Sequence, residues 1–172
     1  MLEAMIESAA VALYAGLLIY AAASDVRSLT IPNWVSIALA ALYPIVALLA
    51  GSPLASIGAH LGFGSAILVV GFALFQFNVL GGGDAKIMAA ASVWTGLTAF
   101  LPFVFWTALA GGLMALSLLL ARQFIPQTQS NPAFINRLLA KQNGIPYGVA
   151  IMVGGLCAAP HLPLLSQTLT LP

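Results

Sequence analysis

The chain has 172 residues, of which 62% are hydrophobic and only 5% are charged, where an ordinary soluble domain carries roughly 25% charged residues. Its nine charges sum to +1, too few to solvate a globular surface and too balanced to hold a phosphate backbone. A soluble enzyme, a nucleic-acid binder and a disordered chain are excluded, and a polytopic α-helical membrane protein remains.

In chain order, the first apolar run covers residues 5–24. It follows an acidic start with Glu3 and Glu7. A cleavable signal peptide opens on basic residues, so this run reads as a permanent helix and membrane anchor. The second run, 34–50, closes at Gly51-Ser52-Pro53. The third, 54–77, carries Gly58 and Gly62 in a GxxxG spacing that suits close helix packing. His60 between them reads as a packing histidine.

Residues 87–121 hold 35 positions without a charge. One helix of that length would extend about 52 Å, well beyond a hydrocarbon core of about 30 Å. Two helices, 84–98 and 101–121, with a turn within 96–102 fit better. The polar stretch 122–145 follows. In it, Asn131 is placed to cap and Pro132 to open a short helix. Phe134, Ile135, Leu138 and Leu139 share one stripe, with Arg137 and Lys141 off it and Gly144 closing the segment. The pattern predicts an amphipathic helix on the cytoplasmic surface. The last run covers 146–165. Gly111-Gly112 and Gly154-Gly155 read as packing sites, and Trp34, Trp94 and Trp106 as interface or core residues. No internal repeat is present, and residues 1–172 are expected to form one membrane-embedded domain.

Charge placement selects six spans over five. With six, Arg27, Lys86, Arg122, Arg137 and Lys141 all fall on one side, which the positive-inside rule assigns to the cytoplasm, with both termini outside.

The aspartates are the centre of the chemistry. Asp25 ends the first run and Asp84 opens the fourth, behind Gly81-Gly82-Gly83. They are 59 positions apart, yet counting lysines and arginines alone puts both at cytoplasmic helix ends. Asp84 as a helix N-cap is a sufficient structural account of that residue. Asp25 has a weaker one, because a carboxylate at a helix C-terminus faces the negative end of the dipole, although it can pair with Arg27. The glycine triplet reads either as a flexible turn or as a device that aims Asp84 inward and leaves room for an extended peptide. Lys86 is an interfacial anchor or a cation acting on the carboxylates, and Arg27 is more simply an anchor than a catalytic group.

Two carboxylates that meet across a bundle share one proton, because both cannot ionise easily at close range. The ionised member takes a proton from water while the protonated member polarises a scissile carbonyl. This chemistry needs no cofactor and no metal. Cys157 is the sole cysteine, and His60 and His161 have no second ligand nearby in sequence, so no zinc site and no internal disulfide are expected.

Asp25, Arg27 and Ile31-Pro32-Asn33, then Gly81-x-Gly83-Asp84-x-Lys86, together resemble the type IV prepilin leader peptidases, GxGD membrane aspartic proteases of bacteria and archaea. Pro146-Tyr147-Gly148 is similar to the start of their terminal helix. The resemblance implies removal of the short leader from pilin or pseudopilin precursors at the cytoplasmic face of the inner membrane. Asp25 and Asp84 match its catalytic pair, and Gly81 and Gly83 its motif glycines. The larger bifunctional members also methylate the new N-terminus and carry an added segment with paired cysteines. This sequence is similar instead to the short peptidase-only type serving Flp (tight-adherence) pili, which implies cleavage without methylation. Membrane lipid and a precursor with an apolar helix are the expected partners. Two rival classes remain at this stage: a proton- or ion-coupled transporter using the aspartates as carriers, whose site belongs near the bilayer midplane, and a non-enzymatic scaffold in a secretion assembly.

Overall fold

The computed structural model describes residues 2–129 and 131–166, and these are all-helical. The order is α1 (Leu2–Ser28), α2 (Asn33–Leu49), α3 (Leu54–Gln76), α4 (Gly82–Thr95), α5 (Phe100–Phe124), α6 (Ala133–Leu139), α7 (Tyr147–Ala158), a 3-10 turn (Ala159–His161) and α8 (Pro163–Ser166). Ser8–Ser28 of α1, together with α3 and α5, forms three helices long and apolar enough to cross a membrane. The apolar helix α2 and the run Tyr147–His161 are shorter.

The expected single helix break within 87–121 is present. Gly96 ends α4 with φ +53, a left-handed conformation that glycine adopts without steric cost, and α5 starts at Phe100. α4 has nearly the expected length but runs Gly82–Thr95 rather than 84–98. Its 14 residues extend only about 21 Å. It is the middle of the bundle, packed by α3, α2 and α7, with Ala85, Ile87 and every residue from Ala89 to Thr95 buried. Protein rather than lipid covers it. The last run also breaks earlier than 146–165, because Pro160 and Pro163 turn the chain after Ala158.

The core is aromatic and pinned by one hydrogen bond. Trp94 is fully buried and donates Nε1–H to the Leu39 carbonyl at 2.8 Å. The rings of Tyr14 and Tyr43 lie 5.1 and 5.7 Å from it. His60 donates Nδ1–H to the Val93 carbonyl at 2.8 Å and stacks on Tyr43 at 4.8 Å, which is a packing role.

Small residues set the helix contacts, but at other positions on α3 than expected. Gly58 and Gly62 face open space. Gly64 and Gly71, two turns apart and therefore on one stripe, meet Val93 and Ala85 of α4. On α7, Gly154 packs on Phe103 and Thr107 of α5, and Gly155 on Tyr14 and Leu18 of α1. Gly111 contacts Tyr147 and Ala150, while Gly112 is open.

The surface helix is present as α6. Leu139 is buried, Ile135 and Leu138 are half-buried, and Arg137 and Lys141 are exposed. Phe134 departs from the predicted stripe, being 39% exposed. Pro132, not Asn131, takes the N-cap position. The Asn131 amide instead donates to Pro126 O and Asn136 Oδ1.

Candidate active site at one end of the bundle

α1, α3 and α5 end where α2, α4 and α7 begin, and α6 lies across this end of the bundle. Cross-helix contacts fix the arrangement: Lys86 on α4 reaches Asn33 on α2, Arg137 on α6 reaches the Arg27 carbonyl on α1, and Arg122 on α5 reaches the segment before α7. The basic residues therefore gather at one end, and both aspartates lie with them.

Asp25 sits inside the last turn of α1 rather than beyond a helix ending at residue 24. Leu29, with φ +54, stops the helix and donates its N–H to the Asp25 carbonyl at 2.7 Å. Ser28 Oγ donates to the Ser24 carbonyl, and Ser24 Oγ to the Thr30 carbonyl, each at 2.8 Å. These bonds satisfy helix-end acceptors and reverse the chain tightly. The reversal brings Ile31 under the site.

The sequence left Asp25 at the unfavourable end of its own helix. The structure resolves this by placing the start of a second helix against it. The Gly148 N–H, in the first turn of α7, donates to Asp25 Oδ2 at 2.7 Å. That N–H is one of the donors a helix start leaves unpaired, and the dipole there favours a negative charge. Asp25 is 5% exposed. Position 148 is tight: a Cβ would stand 3.0 Å from both Asp25 Cβ and Oδ2, and 3.2 Å from Ile31 Cδ1, so that these side chains would have to give way slightly.

Asp84 is the third residue of α4, not its N-cap. Gly81 takes the cap position and no side chain caps the helix. Gly82 and Gly83 are already helical, so the turn lies before the triplet, at residues 77–80, where Asn78 has φ +55. The Asp84 carboxylate folds back over Gly81, where a Cβ would lie 2.6 Å from Oδ2. Asp84 is half-buried. A Cβ on Gly83 would lie 3.4 Å from Ile31 Cβ, so Ile31 is wedged between the glycine preceding Asp84 and the glycine bound to Asp25. The two carboxylates are close enough to interact electrostatically. Each therefore stands at the start of a helix, α7 for Asp25 and α4 for Asp84, where the local dipole offsets part of their mutual repulsion.

The supporting residues divide. Lys86 is exposed and donates Nζ–H to Asn33 Oδ1 at 2.9 Å. Arg27 is exposed, and its backbone carbonyl, not its side chain, makes the recorded contact. Gly148, Ile31, Arg122 and Arg137 belong to this end as well, with roles that the sequence does not assign. Ile31 and Gly148 stand in the motif stretches Ile31-Pro32-Asn33 and Pro146-Tyr147-Gly148, and charge placement puts Arg122 and Arg137 at this end, but their contacts left no signal in the sequence.

Beside the site runs an apolar groove of about 770 Å³ between α2 and α3, floored by α4. Lys86 and Asn33 stand at its polar end, and Ser36, Ala40, Leu68 and Ala89 are among the residues that continue it along the bundle. Among the described residues, no three His, Cys, Asp or Glu side chains gather into a metal site.

Comparison with curated proteins and with solved structures yields no match. The model of the type IV leader peptidase family matches residues 12–116, more than half of the chain, and the matched stretch includes Asp25, Ile31, the glycine triplet, Asp84 and Lys86. With its apolar helices and this match, the chain belongs to the type IV leader peptidase family: it is a membrane peptidase of leader-bearing pilin precursors.

Proposed function

We propose that the chain is an aspartic endopeptidase in which Asp25 and Asp84 act as a pair on one water molecule. The observation that carries this reading is their convergence at one end of the bundle from 59 positions apart. In the reaction, the ionised carboxylate accepts a proton from water as its oxygen attacks the scissile carbonyl carbon. The protonated carboxylic acid donates a hydrogen bond to the carbonyl oxygen. Collapse of the tetrahedral intermediate breaks the C–N bond, and the amine leaves with a proton returned from the pair. Gly81 leaves the approach to Asp84 free of a side chain, so that an extended peptide can lie against the backbone, while Gly83 makes room for Ile31.

The apolar groove supplies a bed for the part of the precursor that follows its leader. It starts at Lys86 and Asn33, each a short step along the chain from one aspartate, and runs away from the site between α2 and α3. A helix seated there would present its end, unwound, to the carboxylate pair. Small residues such as Ser36, Ala40 and Ala89 permit close helix approach within a membrane.

The fuller reading is a single domain of six spanning helices in the bacterial inner membrane. The end bearing Arg27, Lys86, Arg122, Arg137 and Lys141 faces the cytoplasm, and both termini lie outside. The proposal extends to cleavage without methylation, in the manner of the Flp pilus type that the sequence resembles. Placement of the aspartates at the bundle end, beside the cations, favours this reading over a transporter with a midplane site.

The test is to incubate the purified chain in detergent with a pilin-type precursor and weigh the product. A product shortened by its leader, unmethylated even with S-adenosylmethionine present, is expected from the wild type, and none from Asp84→Asn. Processing by inserted Asp84→Asn at the wild-type rate would refute the assignment.

A further inference from the structure

We infer that Arg122 is a positioning residue for the Asp25 carboxylate. The inference rests on the peptidase reading above and assigns work to a residue whose charge alone accounts for nothing but topology.

Arg122 lies in the last turn of α5 and is half-buried. Its Nε–H donates to the Leu138 carbonyl at 2.8 Å, and its Nη2 donates to the Asn143 and Gly144 carbonyls at 3.1 Å each. One acceptor lies in the last turn of α6 and two in the loop between α6 and α7. A planar guanidinium has donors spread in a fixed fork and can hold several carbonyls at once. The Leu138 carbonyl, in the last turn of α6, is one that the helix leaves unpaired.

The stretch that Arg122 grips is internally tied. Asn143 donates its side-chain amide to the Arg137 carbonyl at 2.8 Å, and its backbone N–H to Ala140 O at 3.1 Å. Tyr147 N–H reaches Ile145 O at 2.8 Å across the buried Pro146. Four residues after Gly144, the Gly148 N–H meets Asp25. A second arginine closes the circuit, since Arg137 donates to the Arg27 carbonyl two residues beyond Asp25. α6 and its following loop are thus strapped to α5 by Arg122 and to α1 by Arg137. The free end of that strap is the N–H that holds the carboxylate.

The competing role is an anchor at the lipid boundary, which requires positive charge and nothing more. Lysine supplies the charge but not the fork. Arg122→Lys therefore separates the two roles. The measurement is steady-state processing of a purified precursor by the full chain in detergent, with the melting temperature recorded for each variant. Lys141→Gln, an exposed cation from the same end, serves as the charge control.

Arg122→Lys is expected to lower kcat at least tenfold with KM and melting temperature near the wild-type values, while Lys141→Gln stays unchanged. Arg122→Gln is expected to lose as much kcat or more. Wild-type kcat in Arg122→Lys would overturn the inference, as would a change confined to KM, or a loss of kcat that only accompanies loss of the melting transition. If Arg122→Gln fails to fold, Arg122→Lys decides alone. Absence of cleavage by the wild-type chain would instead strike the peptidase reading, so the two failures are distinguishable.

Discussion

Gly148 donates its backbone N–H to Asp25 Oδ2 at 2.7 Å across 123 positions of sequence. The bond joins the end of the first helix to the start of the seventh, and a Cβ at position 148 would stand only 3.0 Å from the carboxylate. Gly148→Ala therefore has to push Asp25, Ile31 or α7 aside. A shift near 1 Å at a reacting group can reduce rate about a hundredfold, and the smaller shift called for here costs less. Gly148→Ala is expected to insert and melt near the wild-type temperature but to lose kcat by roughly several-fold. Rate measurements on the purified variant check it, and an unchanged kcat would show that the contact does not fix the carboxylate.

The pH dependence follows from a pair holding one proton. At low pH the ionised member becomes protonated and no base remains for water. At high pH the protonated member ionises and the donor to the carbonyl is lost. Both limbs belong to the pair rather than to either residue. Processing rate against pH is expected to be bell-shaped for the wild type. A rate that climbs steadily with pH would fit a single base and contradict the pair.

The groove makes a separable prediction. Ala40 lines one wall, away from both aspartates. Ala40→Trp fills the channel without touching the carboxylates. It is expected to raise KM about tenfold or more for a precursor that retains its apolar helix, a loss of about 1.4 kcal/mol in binding. Cleavage of a short peptide containing only the leader and scissile bond is expected to be unaffected. Equal effects on both substrates would remove the groove from substrate binding.

Helix packing sets the stability of the frame. A Cβ on Gly154 would collide with Thr107 Oγ1 and lie 2.7 Å from the Phe103 carbonyl. These are largely backbone atoms of α5 that cannot swing away. Gly154→Val is expected to destabilise by about 1–3 kcal/mol or more, read as a lowered melting temperature in detergent. Gly112→Val, on the open face of α5, is the control and is expected to melt like the wild type.

The membrane class, the gathering of basic residues at one end, the break after α4 and the two aspartates are all legible in the sequence. Each is carried by composition or charge placement, which do not depend on packing. What is not legible depends on which faces meet. Glycines on α3 occur in two registers, and spacing alone favours Gly58 and Gly62, while contact with α4 selects Gly64 and Gly71. The bounds of α4 shift because Gly82 and Gly83 join the helix and Gly96 ends it, which spacing does not announce. The environment of Asp25 is unreadable locally. Its own helix presents a repelling end, and the favourable dipole arrives from α7 far along the chain. Arg122 reads as a topology charge because its three acceptors are backbone carbonyls, which leave no trace in composition.

The central claim is that Asp25 and Asp84 work as one unit. Residues acting as a unit are strongly non-additive: losing either costs about as much as losing both. Single-turnover processing of one precursor by Asp25→Asn, Asp84→Asn and the double variant, all inserted and purified alike, tests this directly. Each single change is expected to lower the rate by about a thousandfold or more, and the double change to lower it no further. Substantial processing by either single variant, or losses that multiply in the double variant, would contradict it.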